Sequence, residues 1–217
     1  MDHEVKVTKD IFWNGFKELK LVWKQLDHHL GLKRFLPAFF LYSMALQTVL
    51  LVAAYYGEEE IAWASSSEKT IGLIVSILLI QIVAIFGAIL TARASERFGN
   101  IPVLIAINGI WAVLCVVAYY TRTPMQFYIV AGFVGMVMGG MQSLSRSTYS
   151  KLLPETRDTT SFFSFYDVTE KIGIVIGMVC FGLIDHISGS MRNSILFFIV
   201  FFILGGIMLL RIPFKRS

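Results

Sequence analysis

The composition of this 217-residue chain excludes an ordinary soluble protein. Hydrophobic residues make up 56% of it and charged residues 16%, whereas soluble domains have roughly 45–50% and about 25%. The net charge of +4 does not indicate a nucleic-acid partner, because the basic residues cluster at the ends of apolar segments, as in membrane proteins. We therefore expect an integral membrane protein that binds no nucleic acid.

The first 34 residues are predicted to form a cytoplasmic linker that contains an amphipathic helix. Within residues 10–30, DIFWNGFKELKLVWKQLDHHL, apolar side chains recur at steps of three and four and the lysines lie off that stripe. This pattern favours a helix on the inner membrane surface, with lipids as its partners. The alternative is a helix that packs against another cytoplasmic domain.

Six apolar segments follow, and each is close to the ~20 residues that cross a bilayer. No strand-like alternation typical of a membrane barrel is visible, so each segment is predicted to be a helix with its backbone hydrogen bonds satisfied internally. The prediction is a six-helix transmembrane bundle over residues 35–212 and a cytoplasmic tail over 213–217. The six spans are predicted at 35–57, 70–92, 101–120, 126–145, 160–184 and 193–212.

The basic residues predict the orientation of the bundle. Fifteen of the 19 Lys and Arg lie on the side of the two termini, and only Lys69, Arg122 and Arg192 lie on the other side. Because cytoplasmic loops carry the excess of Lys and Arg, both termini are expected in the cytoplasm. The style of the sequence indicates a bacterial inner (cytoplasmic) membrane.

Three charged residues interrupt the fifth span near the middle of the bilayer. Asp167, Glu170 and Lys171 stand within FFSFYDVTEKIGIVIG, and each charge at such a depth costs roughly 2.5–3.5 kcal/mol. Asp167 and Lys171 are four residues apart and can pair along one helix face. One carboxylate is then left over, and Arg146 at the end of the fourth span is its predicted partner.

Two main interpretations of these charges stay open, and a third is that the span lies at another depth and the charges are simply in water. In the first, they line a solvated cavity that binds a substrate or carries a coupling proton. In the second, they form a structural or gating network of ion pairs. Other polar residues at similar depth extend the candidate set, although a hydrogen bond between helices is the simpler interpretation of each one. They are Tyr42 and Gln47 in the first span, Gln142 in the fourth and Tyr166 in the fifth.

Glycines in the fourth and fifth spans predict close contacts between helices. Gly135 and Gly139 form one G-x-x-x-G pair and Gly173 and Gly177 form another, while Gly132 and Gly140 add small residues to the surface of the fourth span. Small residues let helix backbones approach each other in lipid.

An enzyme is not expected, because no Ser-His-Asp, metal-ligand or Walker arrangement is visible; no cofactor or metal is expected either.

Two loops resemble those of the major facilitator superfamily of transporters. Glu96-Arg97-Phe98-Gly99 resembles the D-R-x-G core of its cytoplasmic loop motif, with Glu in place of Asp and with Asn100 in place of a basic residue. The loop after the fourth span resembles the P-E-x-R motif of the same superfamily. Its matching residues are Pro154, Glu155 and Arg157.

The stretches GGMQSLSRS and FYDVTEKIG are similar to the unidentified-major-facilitator family, which includes the autophagy-related vacuole effluxers of fungi. That resemblance implies the C-terminal half of a twelve-span transporter, built as a 3+3 inverted repeat. It implies alternating-access permeation of a small polar solute, with amino-acid efflux suggested by the fungal members. The implied partner is the N-terminal six-helix half or a second copy. The alternative is a six-helix assembly or regulatory module that transports nothing.

Overall fold

The computed structural model describes residues 30–153 and 159–212, and it contains six long helices in this part of the chain. All six are long and apolar enough to span a membrane, which confirms the predicted all-α, six-span fold. The helices are α1 (Leu30–Glu60), α2 (Ser66–Phe98), α3 (Asn100–Tyr120), α4 (Pro124–Leu152), α5 (Thr159–Ser188) and α6 (Met191–Leu209). The predicted interfacial helix before Leu30, the loop residues Pro154, Glu155 and Arg157, and the tail 213–217 lie outside the described residues.

Four of the helices are longer than the bilayer requires. Helices α1, α2, α4 and α5 have 31, 33, 29 and 30 residues, or about 45 Å each at ~1.5 Å per residue. The hydrocarbon core is only ~30 Å thick. Residues 30–34, which the sequence prediction assigns to the linker, belong to α1 in the structure. The prediction misses them because hydropathy identifies the apolar part of a helix and not its ends.

Local signals in the sequence set several helix ends. Ser65 accepts a hydrogen bond from the backbone N–H of Glu68 at the start of α2. Thr123 and Gln126 cap the start of α4 reciprocally. Between α2 and α3, Gly99 adopts a φ of +87°, a conformation that favours glycine. The glycine of the cytoplasmic loop motif thus permits the sharp turn from one span to the next.

The packing of the helices shows two related groups of three. Helix α2 packs along α4 as α5 packs along α1; α3 packs against α4 as α6 packs against α1; and α3 packs against α6. Helices α1, α2 and α3 therefore correspond to α4, α5 and α6, respectively, and each of these contacts has its counterpart under this correspondence. Since three is an odd number of spans, the second group enters the membrane from the opposite side, as in an inverted repeat.

The bundle has a first end and a second end, defined by the helix termini that meet there. The first end carries the N-termini of α1, α3 and α5, and the second end carries those of α2, α4 and α6.

The core lies among α1, α3 and α6, where Trp111 stacks on Phe202 with 5.4 Å between ring centroids. In contrast, only 11% of the most apolar 18-residue stretch of α2 and 17% of that of α5 are buried, against 61% for α1. Helices α2 and α5 therefore leave wide faces uncovered.

Glycines hold α2 against α4, as the sequence predicts. A Cβ atom on Gly135 would lie 2.5 Å from the carbonyl oxygen of Ile80, and one on Gly139 would overlap that of Ala84. On α5, a Cβ on Gly177 would overlap a side chain of α1. Gly132 has nothing within 4 Å of its Cβ position, so its predicted contribution to a helix contact is wrong.

Candidate functional site

The predicted site residues of α1, α4 and α5 converge in the part of the bundle nearer its first end. On α5, Tyr166 and Glu170 lie four positions apart and Asp167 and Glu170 lie three apart, so these residues share one side of that helix. The structure brings together Tyr42 and Gln47 from α1, Arg146 from α4, and Tyr166, Asp167 and Glu170 from α5.

Arg146 forms the ion pair that the sequence predicts with a carboxylate of α5. Its Nη2 lies 2.8 Å from Oδ1 of Asp167, and the guanidinium lies over the ring of Tyr166 at 5.6 Å from the centroid. The two charged side chains are 59% and 52% exposed. A half-exposed pair of this kind adds little stability, so its position at a water-accessible surface is the more informative feature.

The predicted pairing of Asp167 with Lys171 is wrong. Among the residues that the structure describes, Lys171 forms no ion pair, and its side chain is exposed. Arg146 reaches Asp167 from the neighbouring helix and contacts the Tyr166 ring as well, so it satisfies two groups from one position. Lys171 is left as an exposed cation on the charged face of α5.

Glu170 is bonded to a neutral partner on another helix. The side-chain amide Nε2 of Gln47 donates to Oε1 of Glu170, and both groups are partly buried. This contact brings the middle of α1 to the charged face of α5, in agreement with the predicted convergence of these residues. Within the described part of the chain, no cation compensates the Glu170 carboxylate.

Beneath these charges lies a layer of stacked aromatic rings. Phe39 stacks on Tyr166 with 4.1 Å between centroids, and Tyr149 lies 4.9 Å from Tyr166. All three rings are buried, so they form an apolar support for the charged residues.

The hydroxyls of Tyr149, in this layer, and of Tyr42, beside it, are bonded within the protein. The Tyr42 hydroxyl lies 2.8 Å from the Ser145 hydroxyl, and the Tyr149 hydroxyl donates to the carbonyl oxygen of Phe162 at 2.7 Å. Tyr42 is only 1% exposed. In this conformation it joins α1 to α4 and does not face an open cavity. Gln142, one turn before Arg146 on α4, is half-buried and bonds to no other described residue.

The cytoplasmic loop motif lies at the first end of the bundle. Glu96 and Arg97 are exposed at the end of α2, and neither forms an ion pair with another described residue. Asn100, where the sequence departs from the superfamily motif, has contacts that the sequence does not predict. Its Nδ2 donates to Oγ1 of Thr148 at 3.1 Å, and Nζ of Lys151 donates to its Oδ1 at 3.1 Å.

At the second end, Arg192 makes the densest set of polar contacts in the described residues, although the sequence predicts only the side of the membrane on which it lies. Its Nε lies 2.6 Å from Oε2 of Glu60, and Nη2 donates to the Glu60 carbonyl at 2.8 Å. Its Nη1 donates to the carbonyl oxygens of Tyr119 and Thr121 at 2.6 and 2.8 Å. The sequence does carry a signal for Arg192, because only three of the Lys and Arg residues that the structure describes lie at this end of the bundle.

A small apolar cavity of about 60 Å³ lies among α1, α2, α3, α4 and α6, apart from the charged cluster, which consists of Arg146, Asp167, Glu170 and Lys171. Tyr56, Trp111, Cys115 and Phe127 are among its lining residues. Its walls are almost entirely apolar, and a polar solute would lose its hydrogen bonds to water there without replacement. The charged cluster is therefore the better candidate for solute binding.

Comparison with known proteins agrees with this architecture. The model of a family described as "Vacuole effluxer Atg22 like" matches residues 2–217. An uncharacterized MFS-type transporter, YxiO, of Bacillus subtilis (strain 168) is 29% identical over 213 residues, which cover 98% of this chain and 48% of that protein. Autophagy-related protein 22 of Eremothecium gossypii is 30% identical over 210 residues, covering 87% of this chain and 40% of the relative.

The chain thus spans about half the length, or less, of the relatives it matches; Autophagy-related protein 22 of Yarrowia lipolytica, 25% identical, is covered over 35% of its length. The match to the family model runs over almost the whole chain and includes every residue of the charged cluster. Six membrane-spanning helices in two packed groups of three are what half of such a transporter requires. This chain belongs to the Atg22-like vacuole effluxer family of transporters.

Proposed function

We propose that this chain is half of a secondary active transporter that moves a small polar solute of the amino-acid class by alternating access. The transporter relatives support the general activity. The charged face of α5 is the single observation that supports the solute class, because ionisable groups inside a membrane bundle are costly and mark solute or ion pathways.

The charges of this face, together with Arg146 of α4, suit a zwitterionic solute. Arg146 and Lys171 supply two cations, and Asp167 and Glu170 supply two carboxylates. An α-amino acid carries an ammonium and a carboxylate on the same carbon atom, so its binding site needs both signs of charge close together. Lys171 is exposed and Glu170 is bonded only to a neutral amide, so each can exchange its present surroundings for a charged group of the solute.

The partner in this proposal is a second six-helix half, either the N-terminal half of the same transporter or another copy of this chain. The uncovered faces of α2 and α5 and the length of the relatives support it. Since solute sites in such transporters lie between the two halves, the charged cluster would supply half of the site.

The proposed location is a cytoplasmic membrane, the inner membrane of a bacterium, with both termini in the cytoplasm. The distribution of Lys and Arg supports this orientation, because the first end of the bundle carries most of them.

Uptake by proteoliposomes tests the proposed function. The protein, in the full length that its gene encodes, is reconstituted and supplied with a pool of radiolabelled amino acids. We expect uptake by the unchanged protein, and a loss of at least about tenfold in Glu170→Gln and in Lys171→Met because each removes a charge that the solute needs. Asp185→Asn is the matched control, since it removes a carboxylate near the other end of α5 and should leave uptake intact.

Two results would contradict the proposal in different ways. Uptake that survives both substitutions would show that the charged cluster is a structural network and not the solute site. If the unchanged protein takes up none of the amino acids, the amino-acid class is wrong.

A further inference from the structure

Two arginines meet at the first end of the bundle, where the start of α1 lies beside the end of α6. Nη1 of Arg34 donates to the backbone carbonyl oxygen of Arg211 at 2.7 Å. This bond satisfies a carbonyl near the end of α6, where intrahelical partners run out. It uses one of the five N–H donors of the guanidinium. Because the acceptor is neutral, the bond leaves the positive charge of Arg34 uncompensated.

Neither arginine is paired with an acidic residue in the part of the chain that the structure describes. Both residues are exposed. Arg146 at the same end differs from them, since Asp167 compensates its charge. Two positive charges that share a small area repel each other, and an anion between them removes that cost. Arg34 and Arg211 therefore form a place where an anion is stabilised.

An apolar stripe on α6 leads to this pair of arginines. Its members are exposed and lie on one face of the helix: Val200, Ile203, Leu204, Ile207 and Leu210. The opposite face is buried, and there Gly205 contacts Ala38 and Tyr42 of α1. The stripe is about 15 Å long at ~1.5 Å per residue, which is about half of the ~30 Å hydrocarbon core. It therefore matches the depth of one leaflet.

We propose that Arg34, Arg211 and this stripe form a site for one anionic phospholipid of the leaflet at the first end. The guanidinium groups bind the phosphate, whose oxygens match their planar fork of donors. One acyl chain lies along the stripe. A free phosphate ion would not use the stripe, so the continuity of stripe and arginines favours the lipid. The site contains no residue of the charged cluster and does not depend on the proposed function.

Photolabelling by lipids tests this site. The purified chain is placed in nanodiscs of phosphatidylcholine with a small share of a phosphatidylglycerol that carries a diazirine in one acyl chain. Mass spectrometry then locates the label, which we expect in residues 200–210. Arg34→Gln and Arg211→Gln should each lower this labelling about fivefold, because each removes one cation at the membrane surface. Arg93→Gln is the matched control, since it removes an exposed cation of α2 near the same end, and it should leave the labelling unchanged.

Arg211→Gln keeps the backbone carbonyl that Arg34 binds, so it tests the charge even if Arg34→Gln does not fold. A phosphatidylcholine with the same diazirine chain is the second probe. Equal labelling of 200–210 by the two probes in the unchanged protein, or an equal loss in Arg93→Gln, would overturn the proposal. Inorganic phosphate that abolishes the label at the concentration of the labelled lipid would also overturn it, because a free ion would then be the ligand. No uptake is measured, so these results stand apart from the success or failure of the proposed function.

Discussion

At the scale of single residues, Arg146 and Asp167 combine a short ion pair with high exposure. Their 2.8 Å contact joins α4 to α5, yet both side chains are more than half exposed. Exposed pairs contribute about 0–1 kcal/mol to stability. Their value to the protein is therefore expected to lie in solute movement and not in the stability of the bundle.

We expect Arg146→Gln and Asp167→Asn to change the free energy of unfolding by less than about 1 kcal/mol each, while uptake in proteoliposomes falls clearly. Unfolding in detergent and uptake are measured on the same preparations, together with the double variant. Losses of several kcal/mol with unchanged uptake would show that the pair is structural.

Glu170 and Gln47 form the opposite case, a partly buried bond in which one partner is charged. Gln47→Leu should lower the free energy of unfolding by about 1–3 kcal/mol, because it leaves a carboxylate without its donor. Adding Glu170→Leu should recover much of that loss, since both polar groups are then gone. Denaturant unfolding of the two single variants and the double variant checks this. Additive losses would contradict the direct bond between α1 and α5.

At the scale of helices, the contact of α2 with α4 depends on the backbone surfaces of glycines. Gly139 and Gly132 both lie within α4, but only Gly139 touches α2. A methyl group at Gly139 meets a backbone carbonyl, which has no flexible side chain that can move aside.

Gly139→Ala should therefore destabilise the bundle by about 1–3 kcal/mol, as overpacking does. Gly132→Ala should be neutral or stabilise it by up to about 1 kcal/mol, because alanine favours helix and the space is open. Thermal unfolding in the same detergent compares the two variants directly. Similar melting temperatures for both would mean that α2 does not approach α4 as closely as the structure shows.

At the scale of the whole molecule, the bundle has two uncovered faces of different chemistry. The face of α5 carries charges, so it must meet water or a polar partner surface, because lipid cannot solvate them. The face of α2 is apolar over most of its length, with Gln81 as an exposed polar residue near its middle. The face of α5 is thus expected to be in contact with water, and the face of α2 is not.

Cysteine labelling in membranes distinguishes these two faces. In a background of Cys115→Ala and Cys180→Ala, a membrane-impermeant maleimide should label Lys171→Cys and should not label Ile82→Cys. Both positions are exposed in the isolated bundle, so exposure alone does not predict the difference. Equal labelling at the two positions, or protection of Lys171→Cys from both sides of the membrane, would contradict a solvated charged face.

The sequence alone determines the membrane-spanning class, the number of helices and the residues that carry charge within the bundle. These follow from the length of apolar runs and from the cost of charges in lipid, both of which are properties of local stretches of chain. The capping residues of α2 and α4 and the turn at Gly99 are local in the same sense.

The tertiary structure alone decides which charges pair. Spacing within α5 favours Asp167 with Lys171, but Arg146 reaches Asp167 from another helix. The contacts of Asn100 and Arg192 also join residues far apart in the chain. Periodicity along one helix states which residues share a face, but not which neighbouring helix meets that face or how closely. That depends on where the glycine backbones and aromatic rings of the whole bundle allow the helices to approach.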